Sequence, residues 1–275
     1  MKKSLHKVIL MIIIGLVLMI FAMFPYVVAV LGSFSSNSDL IMGNFLDISK
    51  YTFNNYISAF EVTDFSRALV NSFINSLLAA LLAVLIAAPS AYAFSRTHFK
   101  FKKYILILIL ATQLFPGALI IVPLYQVIGT FHLVNTYGGL ALAYLTQTIP
   151  LSLWLLIMFF NSVPIELDEA AKVDGCNVWQ TFSKIVLPLS LPGIGSITFF
   201  AFMAAWNDLL FVSVLAQSNS MSTVQLFLYS MMGQYSTSWG LMLSMSIMGT
   251  VPAVVLYFIV QKSLVSGIMA GAVKG

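Results

Sequence analysis

Residues Val8 to Leu31 read VILMIIIGLVLMIFAMFPYVVAVL and contain no charged side chain. At 1.5 Å per residue, about 24 helical residues cross a hydrocarbon core of roughly 30 Å. Met1-Lys2-Lys3 ahead of the run begins like a cleaved leader. The run is longer than the roughly 7 to 15 residues of a leader's apolar region and no Ala-x-Ala site follows it, so it is expected to stay as a first span.

Composition extends this reading to the whole chain. Of 275 residues, 60% are hydrophobic and 8% charged, against roughly a quarter charged in soluble proteins. Thirteen basic and nine acidic side chains cannot cover the surface of a soluble core of this size. The expectation is an all-α, polytopic membrane protein with one transmembrane domain over residues 1–275. After Val8–Leu31, further spans are expected at about 68–94, 104–122, 137–160, 192–216 and 240–261. Pro89, Pro116, Pro150 and Pro252 lie inside four of these runs and mark bends, which membranes tolerate where neighbours satisfy the freed backbone groups. Ala83, Ala87 and Ala91 recur at spacing four and give a small-residue face for close helix approach.

Charge reports orientation. With the N-terminus inside, Lys2, Lys3, Lys7, Arg96, Lys100, Lys102, Lys103, Lys172, Lys184, Lys262 and Lys274 are cytoplasmic, and only Lys50 and Arg67 fall outside. That asymmetry is the expected sign of both termini being cytoplasmic. The basic residues sit in short clusters beside apolar runs, so the charge of +4 argues for no nucleic-acid partner. Cys176 is the single cysteine and the three histidines are scattered, which excludes an internal disulfide and a multi-cysteine metal site.

The inner loop from Asn161 to Leu191 is too long for a turn and carries VPIELDEAAKVDGCNVWQTFSKIVLPLSLPG from Val163 to Gly193. Ser162 is expected to cap a first helix that begins near Pro164, with Glu166, Asp168 and Glu169 at the positive end of its dipole. Gly175 then permits a positive-φ stop. Asn177 with Gln180 three residues on forms a capping box for a second helix through Leu187, halted before Pro188.

Within this loop, Glu169-Ala170-Ala171, then Gly175, Ile185 and Leu187-Pro188, match in residue and spacing the EAA loop of binding-protein-dependent ABC importer permeases, a family the chain resembles. Phe53-Asn54-Asn55-Tyr56, Gln113-Leu114-Phe115-Pro116, Trp206-Asn207-Asp208, Leu264-Val265-Ser266-Gly267 and the tail Gly271 to Gly275 are similar to the second permease subunit of maltose-type carbohydrate importers. The resemblance implies a six-span permease fold in the cytoplasmic membrane of a prokaryote. It also implies a homologous permease, two cytoplasmic ATPase subunits and an extracytoplasmic solute-binding protein as partners. Glu169, Ala170, Ala171, Asp174, Gly175, Ile185, Leu187 and Pro188 would form the knob that docks on the ATPase. No G-x-x-x-x-G-K-[ST] stretch occurs, so ATP and Mg would belong to the ATPase subunits and the chain itself is not expected to be an enzyme.

Solute would be met by polar and aromatic side chains inside apolar runs, one of them the ionisable Asp208 and the amides uncharged. Trp206, Asn207, Asp208, Gln113, Gln147, Asn71 and Asn75 are the candidates, an aromatic face and amide or carboxylate edges being what a hydroxyl-rich sugar needs. For Asp208 a structural cap or interhelix pair is the competing role, because a charge within a membrane must face water or a partner. Interhelix hydrogen bonding competes likewise for Asn71 and Asn75, which share one helix face. A polyol or glycerol phosphate is the alternative solute, although a phosphate ester would want Arg or Lys on the path and none lies inside a span. An ion-coupled transporter would need intramembrane ionisable relays, which are scarce here. The outer loop from Gln217 to Trp239 joins Ser- and Asn-rich ends to an apolar patch at Leu226 to Tyr229, and by resemblance it would meet the solute-binding protein.

Overall fold

The computed structural model describes residues 5–232 and 238–272, and every regular element among them is helical. In chain order these are α1 (Leu5–Ser33), α2 (Asn37–Ile41), α3 (Asn54–Glu61), α4 (Thr63–Arg96), α5 (Lys102–Ala111), α6 (Gly117–Thr130), α7 (Tyr137–Ser162) and α8 (Glu166–Val173). There follow α9 (Val178–Thr181), α10 (Leu187–Leu189), α11 (Leu191–Trp206), α12 (Leu210–Leu215), α13 (Val224–Met231) and α14 (Trp239–Ala272). Lys2, Lys3 and Lys274, used above for orientation, and Val273 to Gly275 of the tail lie outside the described residues.

Among the described residues, four helical stretches are long and apolar enough to cross a membrane: Lys7–Ser33, Asp64–Arg96, Tyr137–Ser162 and Trp239–Ser263. Two bent pairs bring the number to six if each pair is one span. The expected third span is not one rod. α5 runs on through a 3-10 turn to Leu114, then the chain bends by 104° into α6. Phe115 is extended at φ −80°, ψ 123°, as the residue before a proline prefers, and Pro116 has no N–H to continue the ladder. The expected fifth span, 192–216, is broken as well. It begins after a 79° bend at Ser190 and stops at Trp206, before the short α12.

The inner loop corrects two capping expectations. Ser162 ends α7, its hydroxyl donating to the Phe159 carbonyl at 2.7 Å, and α8 starts after Ile165 with no side-chain cap. The second helix does not halt before Pro188. A π turn over Phe182–Val186 sends the Leu187 N–H five residues back to the Phe182 carbonyl, and the chain winds through Pro188 to Leu189. The widened register absorbs a residue that cannot donate.

The chain divides into two compact units, Met1–Phe65 with Leu228–Thr250, and Ser66–Phe227 with Val251–Gly275. In the first, Asn55 Nδ2 donates to the carbonyls of Ser33 and Ser35, each at 2.9 Å, which satisfies the last turn of α1. Gly240 lies against this cap. A Cβ there would come 2.6 Å from Asn55 Nδ2 and 2.7 Å from the Ser35 carbonyl oxygen. Phe34 packs on Phe53 and Tyr56, with ring centroids 5.3 and 5.1 Å away. The Ser36 hydroxyl on Asp39, with Lys50 beside it, holds that carboxyl below the ordinary carboxylate range. α1 carries its apolar side chains exposed along its length, Phe21 at 79% and Phe24 at 66%, which suits lipid or a partner helix and not water.

In the second unit α7 is the central helix. Ala83, Ala87 and Ala91 are fully buried as the spacing predicts, and Ala87 and Ala91 pack with Leu153, Leu156 and Phe160 of α7 and Ile197 of α11. α11 crosses α7 at Gly193, where a Cβ would fall 2.5 Å from the Phe159 ring. The lack of a side chain lets the two helices approach that closely.

Candidate functional site

The inner loop folds as a knob. α8 and α9 are joined by Gly175 at φ +80°, a conformation that costs side-chain-bearing residues about 1 to 2 kcal/mol. A Cβ on Gly175 would meet nothing within 4 Å, so its freedom serves the turn and not packing. The predicted capping box is present: Asn177 Oδ1 accepts from the Gln180 N–H at 2.8 Å and Gln180 Oε1 accepts from the Asn177 N–H at 2.9 Å. Glu169, Ala170, Asp174, Gly175 and Pro188 are exposed, Ile185 and Leu187 half-buried, and Ala171 is buried against the chain's own interior. The two alanines therefore divide between an outer and an inner face. A cavity of about 520 Å³ lies behind the knob, among Pro89, Tyr92, Arg96, Lys172, Trp179 and Phe182.

The knob is fastened by an ion pair that sequence reasoning did not pick out. Asp168 is 4% exposed. Its Oδ2 accepts from Arg96 Nε at 3.0 Å and lies 3.0 Å from Arg96 Nη2, while its Oδ1 accepts from the Tyr92 hydroxyl at 2.6 Å. Arg96 also donates through Nη1 to the Phe160 carbonyl at 2.9 Å and through Nη2 to the Val163 carbonyl at 3.0 Å, capping the end of α7. The Tyr92, Phe160 and Phe182 rings pack together around the pair, with centroids 5.1 to 6.2 Å apart. Removing one member of such a buried pair leaves an uncompensated charge and costs roughly 3 to 5 kcal/mol. One signal was legible: Arg96 is the sole arginine among the basic residues expected on the cytoplasmic side, and the planar fork of arginine serves several fixed acceptors where lysine serves as a point charge.

The candidate path residues separate. Gln113 is exposed and its Nε2 donates to the Gln147 carbonyl at 2.7 Å, bridging the third-span bend to α7. A Cβ on Gly117, at the start of α6, would lie 3.5 Å from Gln147 Nε2 and 3.2 Å from Leu210 Cδ2. Gln113, Gln147 and the break at 207–209 thus gather at one level, where two interrupted spans meet α7. Asn207 is exposed there, its amide donating to the Met203 carbonyl at 3.0 Å.

Trp206 is enclosed within the unit. It is 3% exposed and stacks on Phe202 with centroids 5.4 Å apart and planes 14° from parallel, because the break comes after it and leaves the indole on the buried face of α11. Asp208 caps α12, its Oδ2 accepting from the N–H groups of Phe211 at 3.0 Å and Val212 at 3.1 Å; the competing role named above is the one the geometry gives it. Asn71, 1% exposed, donates to the carbonyls of Ser220 and Ser222, each at 2.8 Å, and accepts from the Tyr137 hydroxyl at 2.6 Å. Asn75, one turn on, is equally buried, and its amide has no hydrogen-bond partner among the described residues. Both asparagines lie inside the packed unit and not on an open surface.

Asn71 is also one of the points that order the outer loop. Asn135, in the left-handed region at φ +60°, accepts at Oδ1 from the N–H groups of Gln217 and Ser218, and Ser72 Oγ accepts from the Val224 N–H. Residues 217–224 are therefore held by three side chains of this unit, Asn71, Asn135 and Ser72. Residues 233–237 of the loop lie outside the described residues.

Comparison with known proteins bears on these features. Residues 79–268 match the family described as binding-protein-dependent transport system inner membrane component. The trehalose/maltose transport system permease protein MalG of Thermococcus litoralis is 34% identical over 278 residues, covering all of both chains. The trehalose transport system permease protein SugB of Mycobacterium tuberculosis is 33% identical, covering 82% of this chain and 84% of its own. A chain of a bacterial ABC transporter involved in importing the acidic polysaccharide alginate superposes with a TM-score of 0.82 at 21% identity, over 94% of this chain and 98% of that one, a likeness of fold. A family match over most of the chain and a full-length permease relative identify it: the chain belongs to the binding-protein-dependent transport system inner membrane components, as a multi-pass permease subunit and not an enzyme.

Proposed function

We propose that the chain is one of two homologous transmembrane subunits of an ATP-driven importer for a sugar or oligosaccharide, and that its 166–182 knob docks on a cytoplasmic ATPase subunit. The observation that carries the reading is the knob itself. Two short helices meet at a positive-φ glycine, and Glu169 and Asp174 are exposed on a body tied to the ends of two spans. A carboxylate so presented suits a basic residue of the partner. ATP and Mg are then held by a pair of ATPase subunits, and an external binding protein delivers the solute. The carbohydrate class is supported by the trehalose/maltose and trehalose relatives. Basic residues beside the inner span ends support cytoplasmic termini.

Among the path candidates, Gln113, Gln147 and Asn207 suit solute best, being amides at two helix breaks; carbonyl and NH₂ groups there can exchange hydrogen bonds with sugar hydroxyls. Asn71, Asn75, Trp206 and Asp208 serve packing and capping in this conformation.

Purification of the tagged chain from its native membrane tests the assembly. A homologous permease, an ATPase and a solute-binding protein should accompany it, and uptake of labelled trehalose or maltose by the reconstituted complex should require ATP. Glu169→Lys and Gly175→Val should each lose the ATPase while the chain still inserts. Retention of the ATPase and of solute-stimulated hydrolysis in both variants would overturn the docking assignment.

A further inference from the structure

We infer that Asp168, Arg96 and Tyr92 form the joint through which movement of the knob reaches the transmembrane core, so that these three residues set how much transport each ATP hydrolysed yields. The inference rests on the proposed docking of the knob. It concerns residues on the inner side of that knob, and they differ from the exposed Glu169 and Asp174.

The geometry is that of a joint and not of a surface contact. Tyr92 and Arg96 are four residues apart on α4 and so share one helix face. Both grip the same carboxylate, one on each oxygen. Arg96 in turn holds two carbonyls at the end of α7, and all three guanidinium nitrogens are engaged. Three elements therefore converge on one guanidinium: the inner end of α4, the inner end of α7 and the first knob helix α8. The second knob helix joins through Phe182, whose ring packs on Tyr92 and on Phe160. A push on the knob has no slack to take up before it moves α4 and α7.

Solvation points the same way. The Asp168 and Arg96 side chains are 6% and 12% exposed. A salt bridge on a wet surface flexes and is screened; this one is fixed in place by packed aromatic rings. Among the four unbroken spans α7 is the most enclosed by its own chain, with 61% of its most apolar stretch buried against 39% for α4, so the joint acts on the helix at the centre of its unit.

The test uses the whole importer, purified through this chain and reconstituted with its binding protein. Solute taken up per ATP hydrolysed is measured beside the amount of ATPase that co-purifies. Asp168→Asn keeps the size of the side chain and removes its charge, while Tyr92→Phe keeps the ring and removes one hydrogen bond. Loss of the buried pair lowers the yield of Asp168→Asn, but per molecule of chain recovered ATPase should co-purify at wild-type levels with both, since Glu169 and Gly175 are untouched. Uptake per ATP should fall ~10-fold for Asp168→Asn, as expected for weakening of charge-assisted bonds, and ~3-fold for Tyr92→Phe.

A merely structural role would lower the yield of complex and leave the ratio unchanged. An unchanged ratio in Tyr92→Phe, which is mild enough to assemble, overturns the inference even if Asp168→Asn fails to accumulate. Absence of any ATPase from the wild-type preparation would instead overturn the docking reading on which it rests.

Discussion

The Tyr137 hydroxyl donates to Asn71 Oδ1 at 2.6 Å, while the other end of the same amide donates to the carbonyls of Ser220 and Ser222. One buried side chain thereby links α4, α7 and the outer loop. Asn71→Leu leaves two carbonyls and a hydroxyl without their partner, each such loss costing about 1 to 3 kcal/mol. The detergent-solubilised protein should melt at a clearly lower temperature, with uptake per assembled complex retained. A loss of uptake at unchanged stability would return Asn71 to the path.

Trp206 and Asp208 are neighbours in sequence with separate duties. Trp206→Ala opens a hole beside Phe202 and should cost roughly 3 to 5 kcal/mol, seen as poor accumulation of complex. Asp208→Leu removes the cap of α12 at about 1 kcal/mol and should be the milder change. Uptake normalised to assembled complex should be little altered by either.

Asn207→Leu and Gln113→Leu act on exposed amides at the two helix breaks. Neither removes a packed side chain, so assembly should be near wild type while uptake of the sugar falls severalfold with the loss of one hydrogen-bonding group each, worth about 0.5 to 1.5 kcal/mol. Transport assays across both variants would show it. Full uptake in both would remove the breaks from the path.

Gly240→Ala places a methyl group 2.6 Å from Asn55 Nδ2 and 2.7 Å from the Ser35 carbonyl. The α1 cap and α14 cannot both keep their places, and overpacking of this kind costs about 1 to 3 kcal/mol. Adding Asn55→Ala relieves the side-chain clash but not the backbone one and leaves the Ser33 and Ser35 carbonyls without their donor, so the double variant should recover little or none of the loss. Thermal unfolding of the three variants against wild type reads this directly.

Cys176 follows Gly175 at the tip of the knob and is partly exposed. An impermeant thiol reagent should leave it untouched in intact cells and label it once the membrane is opened and the ATPase removed. Labelling from outside would invert the orientation.

Membrane residence, the number of apolar runs, the alanine face and the knob with its Gly175 turn and Asn177–Gln180 box were legible in the sequence, because each depends on local composition or on spacing along one helix. The helix breaks were only partly legible. Pro116 advertised a bend, yet whether a proline kinks a span or turns it by 104° depends on what packs in the angle, where Gly117 lies against Leu210 and Gln147. The partners of Asp168, Asn71 and Trp206 were invisible for a different reason. An acid near a helix start, an amide in a span and an indole before a break each fit several environments, and only the packing of distant segments decides which groups face one another. Arg96 and Asp168 stand 72 residues apart, and no periodicity within a helix reports a meeting between two of them.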